Sequence, residues 1–230
     1  MSDFYGPADE AESVATLQAA LTAGVTLLDT GDYYGMGHNE LLLREALRDR
    51  PRDEVVLSVK FGLMRGPDGA VAGNDLRPPA LRNFLAYTLR RLRTDHVDIY
   101  RPGRVFPDPP IEDTVGALAE LVQAGYIRHI GLSEVGAETI RRAHAVHPVC
   151  DVQIEYSLLS RGIEDEIPFP SGLPGLRPTF HGRESRTEPR ARRHARCDRR
   201  GEGRDGRPAG DRLGGLTGRG RRPARRSPET

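Results

Sequence analysis

The fold class is decided by a stretch that reads VDIYRPGRVFPDPPIEDTVGALAELVQAGYIRHIGL and covers residues 97–132. It opens with the segment VDIY at residues 97–100 and closes with IRHIGL at residues 127–132, and both have the length of strands. Between them, residues 113–124 repeat apolar side chains at helical spacing, and Gly125 follows where a helix end is expected. This order of elements predicts a βαβ unit with parallel strands.

The same alternation extends from this unit in both directions. Upstream, Val14, Leu17 and Leu21 mark a helix that ends near Gly24, and Pro78 suits the start of another. The remaining predicted elements are strands at residues 25–29, 55–60 and 149–154 and helices at residues 39–49 and 137–146. The pattern predicts an α/β fold with about five parallel strands, and periodicity alone leaves open whether the sheet is flat or barrel-like.

Polar residues stand where the first two strands end. Asp29 ends the first strand, Tyr34 follows five residues later, and Lys60 ends the second strand. In isolation, each residue is also typical of a helix cap, a loop or a solvated strand end. Because the carboxyl ends of parallel strands meet at one edge of the sheet, we expect the three side chains to converge there.

An aspartate, a tyrosine and a lysine at one site suit a particular chemistry. A tyrosine ionises near pH ~10 and is a poor proton donor at neutrality, but a nearby lysine cation favours the phenolate. A carboxylate beside the lysine keeps it charged and oriented. Such a tyrosine can protonate a carbonyl oxygen while hydride reaches the carbonyl carbon. Protein side chains cannot supply hydride, so the trio predicts a reduction that depends on a nicotinamide cofactor.

Several motifs, in the same order, resemble those of the aldo/keto reductase family. They are GVTLLDT at residues 24–30 with Tyr34-Gly35 and Asn39-Glu40 after it, SVKFG at 58–62, VDIY at 97–100, IGLSE at 130–134 and QIEY at 153–156. The resemblance implies a partial (β/α)8 TIM barrel over residues 1–167. It also implies reduction of a small aldehyde or ketone by NADPH.

The resemblance further implies a role for each site residue. Tyr34 corresponds to the general acid, Lys60 to its activator and Asp29 to the partner of the lysine. Ser133 and Gln153 correspond to residues that hold the nicotinamide carboxamide. Glu134 stands beside them at a cofactor-binding position where many family members have asparagine.

The chain also departs from the family pattern. Gly103 replaces a histidine that orients the carbonyl in many members. His38 follows the Tyr34 loop and could approach the site, whereas His96 precedes its strand and should face the opposite end. The first barrel strand and the elements that grip the cofactor phosphates have no counterpart. A catalytically inactive, truncated remnant of such an enzyme is therefore an alternative function.

Residues 168–230 have a different composition. They contain 17 Arg and no Lys against 7 acidic residues, and they lack Val, Ile, Met, Tyr and Trp. Such a segment cannot bury enough apolar surface to fold, so we expect a disordered basic tail. Its abrupt onset is what a reading-frame shift in GC-rich coding sequence would produce. Nucleic-acid binding by this tail is the weakest alternative, because Phe169 and Phe180 are its only aromatic residues and make no stacking platform.

Composition limits the location and the partners. The formal net charge is +1, and the two cysteines fit no metal or redox spacing, so a cytoplasmic protein without a metal site is expected. The amino terminus lacks the pattern of a signal peptide. No run of ~18 apolar residues occurs, so no membrane partner is expected. We expect the partner to be a small carbonyl substrate.

Overall fold

A five-stranded parallel sheet, with helices between successive strands, organises residues 8–163, the part of the chain that the computed structural model describes. The strands are β1 (Leu27–Gly31), β2 (Val56–Phe61), β3 (Leu63–Arg65), β4 (Val71–Asn74), β5 (Val97–Pro102), β6 (Ile127–Ser133) and β7 (Val149–Gln153). The α-helices are α1 (Glu10–Thr22), α2 (His38–Ala46), α3 (Pro78–Leu92), α4 (Ile111–Gln123) and α5 (Ala137–Val146). The predicted class, α/β with five parallel strands, is confirmed.

The order of the strands in the sheet is β1-β2-β5-β6-β7. In this register Lys60 lies between Gly31 of β1 and Arg101 of β5, and Ser133 of β6 lies beside Gln153 of β7. All four pairings are parallel, so the carboxyl ends of the five strands share one edge. That edge is where the sequence predicted the site.

The core lies between the sheet and its helices. Strands β2 and β5 are buried along nearly their whole length, as expected for parallel strands covered on both faces. Phe61 and Tyr100 stack with ring centroids 4.2 Å apart, and α4 packs Val115 and Leu118 into the same core. Burying each such side chain contributes about 1.5–3 kcal/mol relative to leaving it exposed.

Two helix boundaries differ from the predictions by two or three residues, and prolines explain part of the shift. Helix α4 begins at Ile111 rather than at residue 113, because the Asp113 amide already donates a hydrogen bond to the Pro110 carbonyl. Helix α2 ends at Ala46 rather than at residue 49. Pro51 disfavours a helical residue before it, which limits how far α2 can extend.

An antiparallel hairpin of β3 and β4 was not predicted. Its turn reads Gly66-Pro67-Asp68-Gly69, and Gly69 has a φ of 79°, in the left-handed region. The Gly66 amide donates to the Ala70 carbonyl at 2.8 Å and closes the turn. Pro, Asp and Gly at these positions are a turn signature, but the flanking strands are too short to show alternation. The predicted disordered tail at residues 168–230, with its proposed frame shift, lies outside the described residues.

Candidate active site

Lys60 is the centre of the polar cluster at the carboxyl edge. It is the penultimate residue of β2, and only 6% of its surface is exposed. Its ammonium donates to the Asp29 carboxylate on β1 and, at 3.1 Å, to Oε1 of Gln153 on β7. Ser58 Oγ donates to the other carboxylate oxygen of Asp29 at 2.9 Å. Both predicted partners, the lysine and the aspartate, are therefore in direct contact.

Tyr34 reaches this pair from a tight turn. It begins the 3-10 segment Tyr34–Gly37, in which Gly35 and Met36 have φ values of 56° and 54°. Such values are uncommon for a methionine and show how sharply the chain bends after β1. The bend puts the Tyr34 ring centroid 5.2 Å from Lys60 Nζ. The structure thus brings together Asp29, Tyr34 and Lys60, which sequence reasoning selected from separate segments.

Ser133, Glu134 and Gln153 lie next to one another at the ends of β6 and β7. Ser133 is buried, and the Glu134 amide donates to the Gln153 carbonyl at 2.9 Å. Glu134 has a φ of 52°, and its Oε1 accepts from the Glu155 amide at 2.9 Å. The Gln153 side chain already bonds to Lys60. This group combines a hydroxyl, a carboxylate and a carboxamide, which are the donors and acceptors that bind an amide.

Sequence reasoning missed Arg101, which extends the cluster. This arginine is 2% exposed, and its Nη2 donates to Ser58 Oγ at 2.9 Å and to Asp151 Oδ2 at 2.7 Å. Burial raises the pKa of Asp151, and the charge of Arg101 opposes that rise. Arg101 is the penultimate residue of β5, just as Lys60 is of β2, so the rule that identified Lys60 could also have identified it.

A second buried group, also missed, lies behind the Tyr34 turn. Glu40 is fully buried and pairs with the Arg91 guanidinium. Asp32 is buried too, and neither of its carboxylate oxygens has a hydrogen-bond partner among the described residues. Burial, reinforced by the Glu40 charge, raises the pKa of Asp32 to about 8. Asp32 therefore carries a proton at neutral pH.

Both nearby histidines contact carboxylates outside the group of Asp29, Tyr34 and Lys60. His38 Nε2 lies 2.9 Å from Glu10 Oε1 on α1, and an approach of His38 to the site stays a prediction. The His96 ring contacts Asp95 before β5 begins, at the opposite end of the strand, as expected. Among residues 8–163, no cluster of His, Cys, Asp and Glu could hold a metal ion. No helix in that range is long and apolar enough to cross a membrane.

Comparisons with known proteins identify the family of this chain. A family model described as the aldo/keto reductase family matches residues 1–169. A Glycine max protein named "Probable aldo-keto reductase 1" is 43% identical over 166 residues, which is 71% of this chain and 47% of that protein.

Solved structures give the same picture. A glycerol dehydrogenase from Gluconobacter oxydans has a TM-score of 0.65 and 30% identity, over 70% of this chain and 50% of its own. An aldo-keto reductase from Klebsiella pneumoniae in complex with NADPH has a TM-score of 0.58 and 32% identity, over 67% of this chain and 51% of its own. The chain thus spans about half the length of these relatives, and its five parallel strands form part of their barrel.

Proposed function

Because the chain belongs to the aldo/keto reductase family, we propose that it is an oxidoreductase that reduces a small aldehyde or ketone to an alcohol with NADPH. The observation that carries this proposal is the contact set around Lys60. Its ammonium is bonded to Asp29 and lies 5.2 Å from the Tyr34 ring centroid.

In the proposed reaction Tyr34 is the general acid. Its O–H bond breaks, and the proton passes to the carbonyl oxygen while the carbonyl carbon accepts hydride. The Lys60 cation stabilises the tyrosinate that forms, and solvent then returns the proton. Asp29 keeps Lys60 charged and fixes its direction. The buried position of Lys60 strengthens these interactions, since they are less screened than at the surface.

The residues at the ends of β6 and β7 suit the nicotinamide end of the cofactor. NADPH, when bound, supplies the hydride. Ser133 Oγ and the Gln153 side chain would hold its carboxamide, with Glu134 as an additional acceptor. The bond from Lys60 to Gln153 Oε1 orients the glutamine and leaves its amide nitrogen as a donor. No described residue is assigned to the cofactor phosphates, and we therefore expect weak binding.

An inactive remnant is the second candidate. It is favoured by the coverage of about half of each relative and by the position of β1 and β7 as edge strands within residues 8–163. Binding of nucleic acid by residues 168–230 is a third and weaker candidate, supported only by their arginine content. The cytoplasm is the proposed location, in keeping with the low cysteine content.

The first test is titration of the purified chain with NADPH, in which the fluorescence of the nucleotide reports binding. Saturable binding together with consumption of NADPH in the presence of small aldehydes is the expected result. Tyr34→Phe should bind the nucleotide like the wild type but reduce carbonyls at least about a hundredfold more slowly. Tyr87→Phe, which alters an exposed tyrosine on α3, serves as the matched control. Failure of the wild type to bind would favour the remnant.

A further inference from the structure

Ser58 lies in the middle of β2, two residues before Lys60, and is completely buried. Its side chain points to the same face of the sheet as that of Lys60, because successive residues of a strand alternate between the two faces. Ser58 Oγ donates to Oδ1 of Asp29 on β1 and accepts from Nη2 of Arg101 on β5, both at 2.9 Å. Since β2 lies between β1 and β5, this serine joins both neighbouring strands.

The direction of these two hydrogen bonds follows from the groups that form them. A guanidinium can only donate, whereas a serine hydroxyl has one hydrogen and two lone pairs. Arg101 takes a lone pair of Ser58 Oγ, so the single Ser58 hydrogen goes to Asp29, whose carboxylate can only accept. A hydroxyl that accepts from a cation also becomes a stronger donor, since the hydrogen bonds of a chain polarise one another.

Arg101 is held in place by a second partner. The same Nη2 donates to Oδ2 of Asp151 on β7 at 2.7 Å, and Arg101 is only 2% exposed. Asp151 therefore supplies the counterion of this buried arginine, and Arg101 acts on Asp29 through the Ser58 hydroxyl. One carboxylate oxygen of Asp29 is thus occupied by the serine, and the other, Oδ2, bonds to the Lys60 ammonium.

We propose that Ser58 is a positioning residue for Lys60. Its hydroxyl, oriented by Arg101, fixes the plane of the Asp29 carboxylate and with it the direction of the lysine ammonium. The inference rests on the proposed function, since the direction of Lys60 matters for catalysis only if Tyr34 donates a proton. Rotation of the Asp29 carboxylate would break its bond to Ser58 or its bond to Lys60. The ammonium therefore stays beside the Tyr34 ring, 5.2 Å from its centroid.

Amine labelling of the full chain tests this role without cofactor or substrate. Lys60 is the only lysine in the sequence, so an N-hydroxysuccinimide ester has two amino groups to acylate, that of Lys60 and the α-amino group. Mass spectrometry gives the rate at Lys60 relative to the α-amino group, which serves as the internal reference. Ser58→Ala should raise this relative rate about three- to tenfold, because an ammonium that is no longer held against Asp29 meets the reagent more often.

Matched variants separate positioning from a general loosening of the fold. Ser58→Thr keeps the hydroxyl and should label like the wild type. Ser13→Ala removes another buried serine, whose Oγ donates to the Asp9 carbonyl at 2.7 Å, and should leave the rate at Lys60 unchanged. In Asp29→Asn, which breaks the ion pair, Ser58→Ala should add nothing further, because its effect passes through Asp29. Equal acceleration in Ser58→Ala and Ser13→Ala, or independent effects of Ser58→Ala and Asp29→Asn, would overturn the proposal.

Kinetics test the consequence. Ser58→Ala should lower kcat about three- to tenfold, the effect of one lost hydrogen bond to a charged group, with KM for NADPH changed less than about twofold. Ser58→Thr should restore kcat, and Ser13→Ala should leave it unchanged. A Ser58→Ala enzyme with the kcat of the wild type would refute the role in catalysis. An inactive wild type in which Ser58→Ala still accelerates labelling of Lys60 would overturn the proposed function and leave the positioning of the lysine established.

Discussion

Arg101 and Asp151 form an ion pair that passes over an intervening strand. Arg101 is on β5 and Asp151 on β7, with β6 between them, yet Nη2 lies 2.7 Å from Oδ2. Gly131 of β6 makes the contact possible: a Cβ atom there would lie 3.2 Å from Arg101 Nε and would collide with Oδ1 of Asp151. Through Ser58, the pair continues to Asp29 and Lys60. The proposed catalytic lysine is thus held by a network that crosses the whole sheet.

Arg101→Met should therefore destabilise the fold. The substitution leaves the Asp151 carboxylate without its cation, and the loss of charge-assisted hydrogen bonds costs about 1.5–3 kcal/mol. Urea denaturation measures the change in the free energy of unfolding. Arg142→Met provides the control, since it breaks the exposed pair with Glu112 and should lower the free energy of unfolding far less than Arg101→Met. Equal losses in the two variants would contradict a structural role for Arg101.

Asp32 should make stability depend on pH in an unusual direction. Its pKa is raised to about 8 in the fold, so between its unfolded pKa of about 4 and pH 8 the native state holds a proton that the unfolded state has released. The contribution of Asp32 to stability is therefore largest below pH 4 and is lost as the pH rises to about 8.

Asp32→Asn isolates this effect. The amide stays neutral at every pH, so the variant should gain stability relative to the wild type as the pH increases from 4 to 8. Denaturation midpoints at several pH values measure the difference, with Asp68→Asn on the exposed hairpin turn as the control. A difference between Asp32→Asn and the wild type that does not change with pH would show that Asp32 is ionised in the fold.

Lys60→Met should separate catalysis from binding. Methionine fills a similar volume but removes the cation beside Tyr34, so kcat should fall by at least about a hundredfold while NADPH affinity changes little. Stopped-flow measurement of NADPH oxidation checks the first part and fluorescence titration the second. A variant that keeps most of its kcat would remove Lys60 from the proposed mechanism.

The edges of the sheet should make the isolated chain prone to association. Within residues 8–163, β1 and β7 are edge strands, and Val25 and Leu27 beside or on β1 are 43% and 47% exposed. Exposed edges with apolar residues favour pairing between chains. We expect poor solubility and binding of a hydrophobic dye, both reduced by Leu27→Lys. A sharp cooperative melt of monomeric wild type would contradict this expectation.

The sequence alone determined the fold class and the three residues of the proposed catalytic group. Apolar periodicity identifies strands and helices, and a parallel sheet delivers Asp29, the Tyr34 turn and Lys60 to one edge whatever the order of its strands. The hairpin of β3 and β4 escaped prediction because two strands of three and four residues carry too little periodicity.

Only the tertiary structure decided which side chains meet across the sheet. The bond from Lys60 to Gln153, the pair of Arg101 and Asp151, and the link from Arg101 through Ser58 to Asp29 each join segments that are distant in the chain. These contacts depend on the strand order, the register and the absence of a side chain at a glycine. Periodicity shows that a residue is buried and which edge it approaches, but not its partner, because partners are set by the packing of all strands together.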